Sequence, residues 1–124
     1  MNNAINWFEL PVTDMARATK FYETVLAVEL KSEVFAGTPN AIFPGEDLAV
    51  RGSLIYDARR KPNPDGSLIY LNANGKLDAC LARVAAAGGK VVLPKTDIGD
   101  PGHIAIVLDS EGNQIGLHQA RAQK

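Results

Sequence analysis

Residues 5–26 read INWFELPVTDMARATKFYETVL, and a change of period inside this stretch decides the fold. Ile5, Trp7, Glu9 and Pro11 alternate with Asn6, Phe8, Leu10 and Val12, the two-residue period of a β-strand. From Met15 onward the apolar residues Met15, Ala18, Tyr22, Val25 and Leu26 fall at helical spacing. Phe21 widens that stripe, while Arg17, Lys20 and Glu23 suit the wet face. Thr13 or Asp14 stands between the two elements as a helix N-cap. One face of the strand carries Trp7 together with an acid, Glu9. If that face is solvent, Trp7 is out of place; if it lines an interior, Glu9 needs a partner or a task.

Working outward, VELKSEVF, AIF and LAVRGSLIY read as three strands joined by the turn-rich AGTPN and PGED. The first half is therefore β-α-β-β-β. DARRKPNPDG follows as an exposed connector with a turn at Asp65-Gly66. The pattern then repeats. SLIYLNA is a strand, and KLDACLARVAAAGG is a helix with Leu77, Leu81, Val84 and Ala85 on one face, stopped by Gly88 and Gly89. KVVLP is a strand, and HIAIVLD and QIGLHQ form a hairpin across SEGN. The halves lie about 60 residues apart, on the order of the periods of internal duplications.

The expected fold class is α+β, a single domain over residues 1–124. Module one covers about 4–57, a linker about 58–65 and module two about 66–119. Each mixed sheet has a helix on one face and leaves the other uncovered. Two such faces can form a cleft or half-barrel, a natural place for a ligand.

Composition narrows the function classes. The chain is 46% hydrophobic and 22% charged, with 13 basic and 14 acidic residues for a net charge of −1. That balance predicts no broad attraction to nucleic acid or to an anionic membrane. No apolar run approaches the ~20 residues of a membrane span. The first residues, MNNAINW, lack the basic and apolar regions of a secretory signal. A single cysteine, Cys80, permits no internal disulfide and fits a reducing compartment, so a cytoplasmic location is expected.

The stretch FELPVTDMARATKFYETVL resembles the opening of the vicinal oxygen chelate superfamily, which includes glyoxalases, extradiol dioxygenases, fosfomycin-resistance enzymes and bleomycin-binding proteins. The resemblance lies in Val12-x-Asp14 after a strand and Phe21-Tyr22 in the helix. The closing turn matches through Asp109, Gly112 and Asn113. It implies two β-α-β-β-β modules around a ligand cleft, small-molecule partners and, in some members, a homodimer. In metal-dependent members, ligands come from the first and last strands of each module. The positions implied here are Trp7, Leu68, Leu54 or Ile55, and Gly116. None of these side chains offers the nitrogen or carboxylate oxygen that a divalent ion needs. The resemblance therefore implies a cleft without its usual metal; any other cofactor is left open.

The implied cleft residues are Glu9 and His118, as candidate acid–base groups, and Trp7, Tyr70, Asn72 and His103, as candidate ligand contacts. Glu9 reads as a general base or polar anchor, with partial burial raising its pKa, or as an acid paired with Arg or Lys. Trp7 and Tyr70 read as a shared pocket wall or as core. His103 and His118 read as hydrogen-bonded structural residues or, with Glu9, as a displaced metal site. Cys80 reads as a small buried hydrophobe. ARRKPNPDG is a local basic cluster, either a solvated linker or an anion site. The expected function is a glyoxalase- or bleomycin-resistance-like protein that binds a small molecule in the cleft. The alternative is a lyase, isomerase or dioxygenase using a displaced metal or Glu9 as a metal-free base.

Overall fold

The structure is a computed structural model that describes residues 4–35 and 37–121. After the first strand, β1 (Trp7–Pro11), Asp14 starts a helix, because its extended backbone lets its carboxylate accept from Arg17 N at 3.0 Å. The helix it starts, α1 (Met15–Leu26), buries Ala18, Phe21, Tyr22, Val25 and Leu26. Three strands follow: β2 (Lys31–Phe35), β3 (Thr38–Ile42) and β4 (Arg51–Ile55). After the connector come β5 (Tyr70–Asn72), α2 (Leu77–Arg83), β6 (Lys90–Asp97), β7 (His103–Leu108) and β8 (Gln114–Gln119).

The strands form two mixed four-stranded sheets of the same internal order, β1-β4-β3-β2 and β5-β8-β7-β6. In each, the strand before the helix pairs in parallel with the module's last strand. The sheets are not closed. With two helices they make the α+β architecture expected of two β-α-β-β-β modules. No helix among the described residues is long and apolar enough to cross a membrane.

Several elements differ in extent from the sequence reading. β3 begins inside AGTPN, at Thr38, rather than at Ala41. Pro39 has no N–H to donate, but its carbonyl still serves the ladder by accepting from Tyr56 N at 3.3 Å. β4 starts only at Arg51, after Leu48 turns the chain with a φ of 69°. α2 is seven residues long and stops at Arg83. Beyond it the chain tightens into i→i+3 bonds from Val84 N and Gly88 N. It must then approach β7 closely: a Cβ on Gly89 would collide with Leu108 O and with the ring of Phe21.

One apolar core runs through both modules, from Leu10, Phe21 and Tyr22 to Leu77, Val107 and Leu117. Cys80 lies within it, fully buried, and desolvation pushes its thiol pKa up. The modules are joined at α1. Glu111, in the β7–β8 turn, accepts from Thr13 N and Asp14 N at 2.8 Å and from Arg17 Nε at 2.6 Å. At the other end, Arg83 Nη2 donates to Val25 O at 2.8 Å and Lys76 Nζ to Leu26 O at 2.6 Å. An acid thus meets the positive end of the α1 dipole and two cations meet its negative end. α1 itself has no acid in its first turn and no base in its last, so module two supplies both.

Beside this clamp, Asp109 is buried at the turn's base. Its Oδ2 accepts from Tyr22 Oη at 2.5 Å and from Asn113 Nδ2 at 3.1 Å, and its Oδ1 from Glu111 N and Asn113 N. Asn113 Nδ2 also donates to Pro11 O at 2.7 Å. The connector is not a free linker. Asn63 N donates to Asn113 Oδ1 at 3.1 Å, and Arg60 reaches back to β1.

The Glu111 side chain is fully covered, and although burial opposes ionisation, the hydrogen bonds from Arg17, Asp14 and Thr13 lower its pKa to about 2. A group depressed on folding stabilises the protein above its unfolded pKa, and that contribution is lost as pH falls toward about 2. Glu111→Gln is expected to cost about 2 kcal/mol at pH 7. Urea unfolding from pH 7 to 2.5 checks this: the gap between variant and wild type should narrow below about pH 4.5. A second expectation concerns β8. The Tyr70 ring occupies the space of a Cβ on Gly116. Gly116→Ala should therefore destabilise by about 1–3 kcal/mol, and Tyr70→Ala in the same chain should recover much of that loss in a double-mutant cycle.

Candidate functional site

The face of Trp7 and Glu9 follows from where their neighbours go. Leu10 is in the core and Phe8 packs against it, so the alternating Trp7 and Glu9 lie on the face of β1 turned away from the helix. Register carries that face across the sheet: Glu9 stands beside Ser53, Ser53 beside Ile42, and Ile55 beside Asn40. Trp7 keeps 42% of its surface exposed, large for an apolar side chain on a sheet face.

A groove of about 490 Å³ lies over this face, lined by Trp7, Glu9, Phe35, Thr38, Asn40, Ile55, Asp57, Arg59 and Arg60. Its floor is polar but satisfied. Asn40 and Ser53 are buried, Ser53 Oγ donates to Asn40 Oδ1 at 2.7 Å, and Asn40 Nδ2 donates to Thr38 O at 3.0 Å. Its rim comes from the connector. A bridge between Asp57 and Arg60 turns the chain back, and Arg60 Nη2 donates to Glu9 Oε1 at 2.6 Å. Asp57 holds Arg59 through Arg59 Nε at 3.2 Å and Nη2 at 3.1 Å. Those hydrogen bonds lower the Asp57 pKa and raise that of Arg59.

Glu9 is therefore on the open face, as its parity requires, but it is not a carboxylate in apolar surroundings. Its side chain is 33% exposed and paired with Arg60. The other candidates have different neighbours. Tyr70 lies on Gly116 in sheet two, half exposed. Asn72 stands beside His118 in register and accepts from Asn74 N at 2.8 Å. It lines a smaller cavity of about 140 Å³ with Phe8, Leu71, Arg51 and Lys76. His118 Nε2 contacts Pro101 O at 2.7 Å, and His103 Nε2 lies 3.8 Å from Asp97 Oδ2. Asp97 is also held by Gly99 N and Arg121 Nη2. None of Tyr70, Asn72, His103 and His118 lines the Trp7 groove. Glu9, His103 and His118 do not gather into a displaced metal site: among the described residues no group of three His, Cys, Asp or Glu side chains is placed to hold a metal ion.

The groove also contains residues that sequence reasoning did not assign to it. Phe35 and Asn40 were hidden by the short reading of β3, which lost the register across β2 and β3. Asp57, Arg59 and Arg60 carried a usable signal, since ARRKPNPDG stands out as a basic cluster.

Comparison with known proteins agrees with this architecture. Residues 4–117 match the model of the Glyoxalase/Bleomycin resistance protein/Dioxygenase superfamily. The CFP32 proteins of Mycobacterium bovis and Mycobacterium tuberculosis, whose names refer to a glyoxylase, are 30% identical over 122 residues. The match takes in 93% of this chain but only 45% of theirs, so the chain spans about half the length of these relatives. A glyoxalase/bleomycin resistance protein from Albidiferax ferrireducens superposes with a TM-score of 0.73 at 20% identity, covering 94% of this chain and 99% of that one. TnmS3, an antibiotic binding protein from a Streptomyces species, superposes with a TM-score of 0.66 at 27% identity, over 96% of this chain and 97% of that one. The chain belongs to the glyoxalase, bleomycin resistance protein and dioxygenase superfamily.

Proposed function

We propose that this protein binds a small organic molecule in the groove over sheet one, and does so without a divalent metal. The observation that carries the reading is Trp7, a half-exposed indole at one end of a groove that also exposes Phe35. Trp7, Phe35 and Ile55 give the groove apolar surface among polar and charged side chains, and about 490 Å³ is within the usual range of small-molecule sites. The antibiotic-binding description of TnmS3, similar over nearly its whole length, supports the same class of function.

The metal-free part rests on donor chemistry. At the positions where the family resemblance implies ligands stand an indole, Leu68, Leu54 or Ile55, and Gly116, and the Tyr70 ring takes up the space beside Gly116. These residues do not fit a divalent cation. An enzymatic reading would assign proton transfer to Glu9, but its Oε1 is committed to Arg60 at 2.6 Å. Among the described residues no histidine joins Glu9 in the groove, so binding is the better-supported role.

The chain contains a single tryptophan, so its indole N–H gives one NMR cross-peak that reports on the groove. Titration with metal-free bleomycin and a set of planar polycyclic antibiotics, in the presence of a chelator, is expected to move that peak for at least one compound. The same compound should raise Tm, since a ligand at a hundred times its Kd stabilises by about 2.7 kcal/mol. Trp7→Ala should weaken binding at least tenfold, and added Zn²⁺ or Mn²⁺ should leave the affinity unchanged. Binding that appears only with added metal would refute the metal-free reading, and an unmoved indole peak throughout would refute the groove. Glu9→Gln should leave binding within threefold of wild type.

A further inference from the structure

The groove contains two acids and two cations, and their hydrogen-bonding capacity is not spent alike. Asp57 accepts three hydrogen bonds from Arg59: its Oδ1 from Arg59 N at 3.0 Å and Arg59 Nε at 3.2 Å, and its Oδ2 from Arg59 Nη2 at 3.1 Å. Glu9 accepts from Arg60 Nη2. A guanidinium has five N–H donors. Among the described residues, Arg59 directs two of them to Asp57 and Arg60 one to Glu9. The acids are met from within the protein, while the cations keep donors in hand. Exposure follows the same division, at 88% for the Arg59 side chain and 48% for Arg60, against 15% for Asp57 and 33% for Glu9. Lys61 adds a third cation beside them, lining the adjoining hollow with Glu9, Arg60 and Gln114.

We propose that the groove selects a molecule with a planar apolar body and an oxyanionic substituent, a carboxylate or a phosphate, the body lying on Trp7 and the anion held by Arg59 and Arg60. This rests on the groove reading above and specifies its ligand class. The planar fork of arginine matches two oxygens of such a group at once, and charge-assisted hydrogen bonds are about twice as strong as neutral ones. A cationic ligand would meet acids that already have arginine partners and are less exposed than those arginines. The apolar body gains from the indole, whose exposed surface is otherwise left to water.

The test uses the full-length ¹⁵N-labelled chain titrated with 2-naphthoate, 2-naphthyl phosphate, 2-naphthamide and 2-naphthylmethylammonium at low salt. At least one of the two anions should bind about tenfold tighter than the amide, moving both the Trp7 indole peak and arginine Nε–H peaks. Comparison of the two anions tells which oxyanion is preferred, and the ammonium compound should not bind. Raising the salt should weaken anion binding, because these cations are exposed. Arg59→Gln leaves the Glu9–Arg60 pair in place and should cut the preference for the anion at least threefold; adding Arg60→Gln should abolish it. If the amide moves Trp7 with the same affinity as both anions, the selection for charge is overturned and the groove reading stands. If none of the four compounds, and none of the antibiotics above, moves Trp7, the groove reading falls and this inference with it.

Discussion

Everything else in this molecule is arranged around one helix whose two ends are satisfied by the other half of the chain. An α-helix leaves its first N–H groups and last carbonyls without internal partners. α1 meets that constraint across the module seam, with Glu111 at its N-terminus and Arg83 and Lys76 at its C-terminus. Each charge has the sign that the helix dipole favours at that end. The buried Tyr22–Asp109 contact and the bond from Asn113 to Pro11 close the same seam. The two sheets are thereby held as one body, with their helix sides in a shared core and their other faces open.

This arrangement gives physical meaning to the residues that carry the family resemblance. Asp14, Tyr22, Asp109 and Asn113 cap, buttress and tie α1 and the closing turn, and none of them lines the groove. A motif built from seam residues can persist while the open face changes its chemistry. The resemblance therefore speaks strongly about architecture and weakly about what is bound, as is general for folds that host many activities.

The open face illustrates how local and long-range information divide. The period of two put Trp7 and Glu9 on one face of β1 but left open which way that face looks. It could not show that Arg60, 51 positions later in the chain, would reach Glu9. Composition misled at AGTPN, where Pro39 and Gly37 look like a turn. The carbonyls of such residues can still serve a ladder, so β3 begins earlier and brings Asn40 to the groove floor. In the second module His118 fell at suitable parity, yet its partner is Pro101 in the loop between β6 and β7, while His103 faces Asp97 at the end of β6.

What the sequence determined by itself was the order of elements, the duplication, the apolar stripes and that Trp7 and Glu9 share one face of β1. These depend on residue periodicity and capping, which act over a few positions. Only the tertiary structure decided which charges from module two meet the ends of α1, which residues share a groove, and that Glu9 is an ion-paired acid at a half-open rim. Those outcomes depend on the path of the connector and on the register between strands. Both are set by contacts between residues far apart in the chain, which no local pattern encodes.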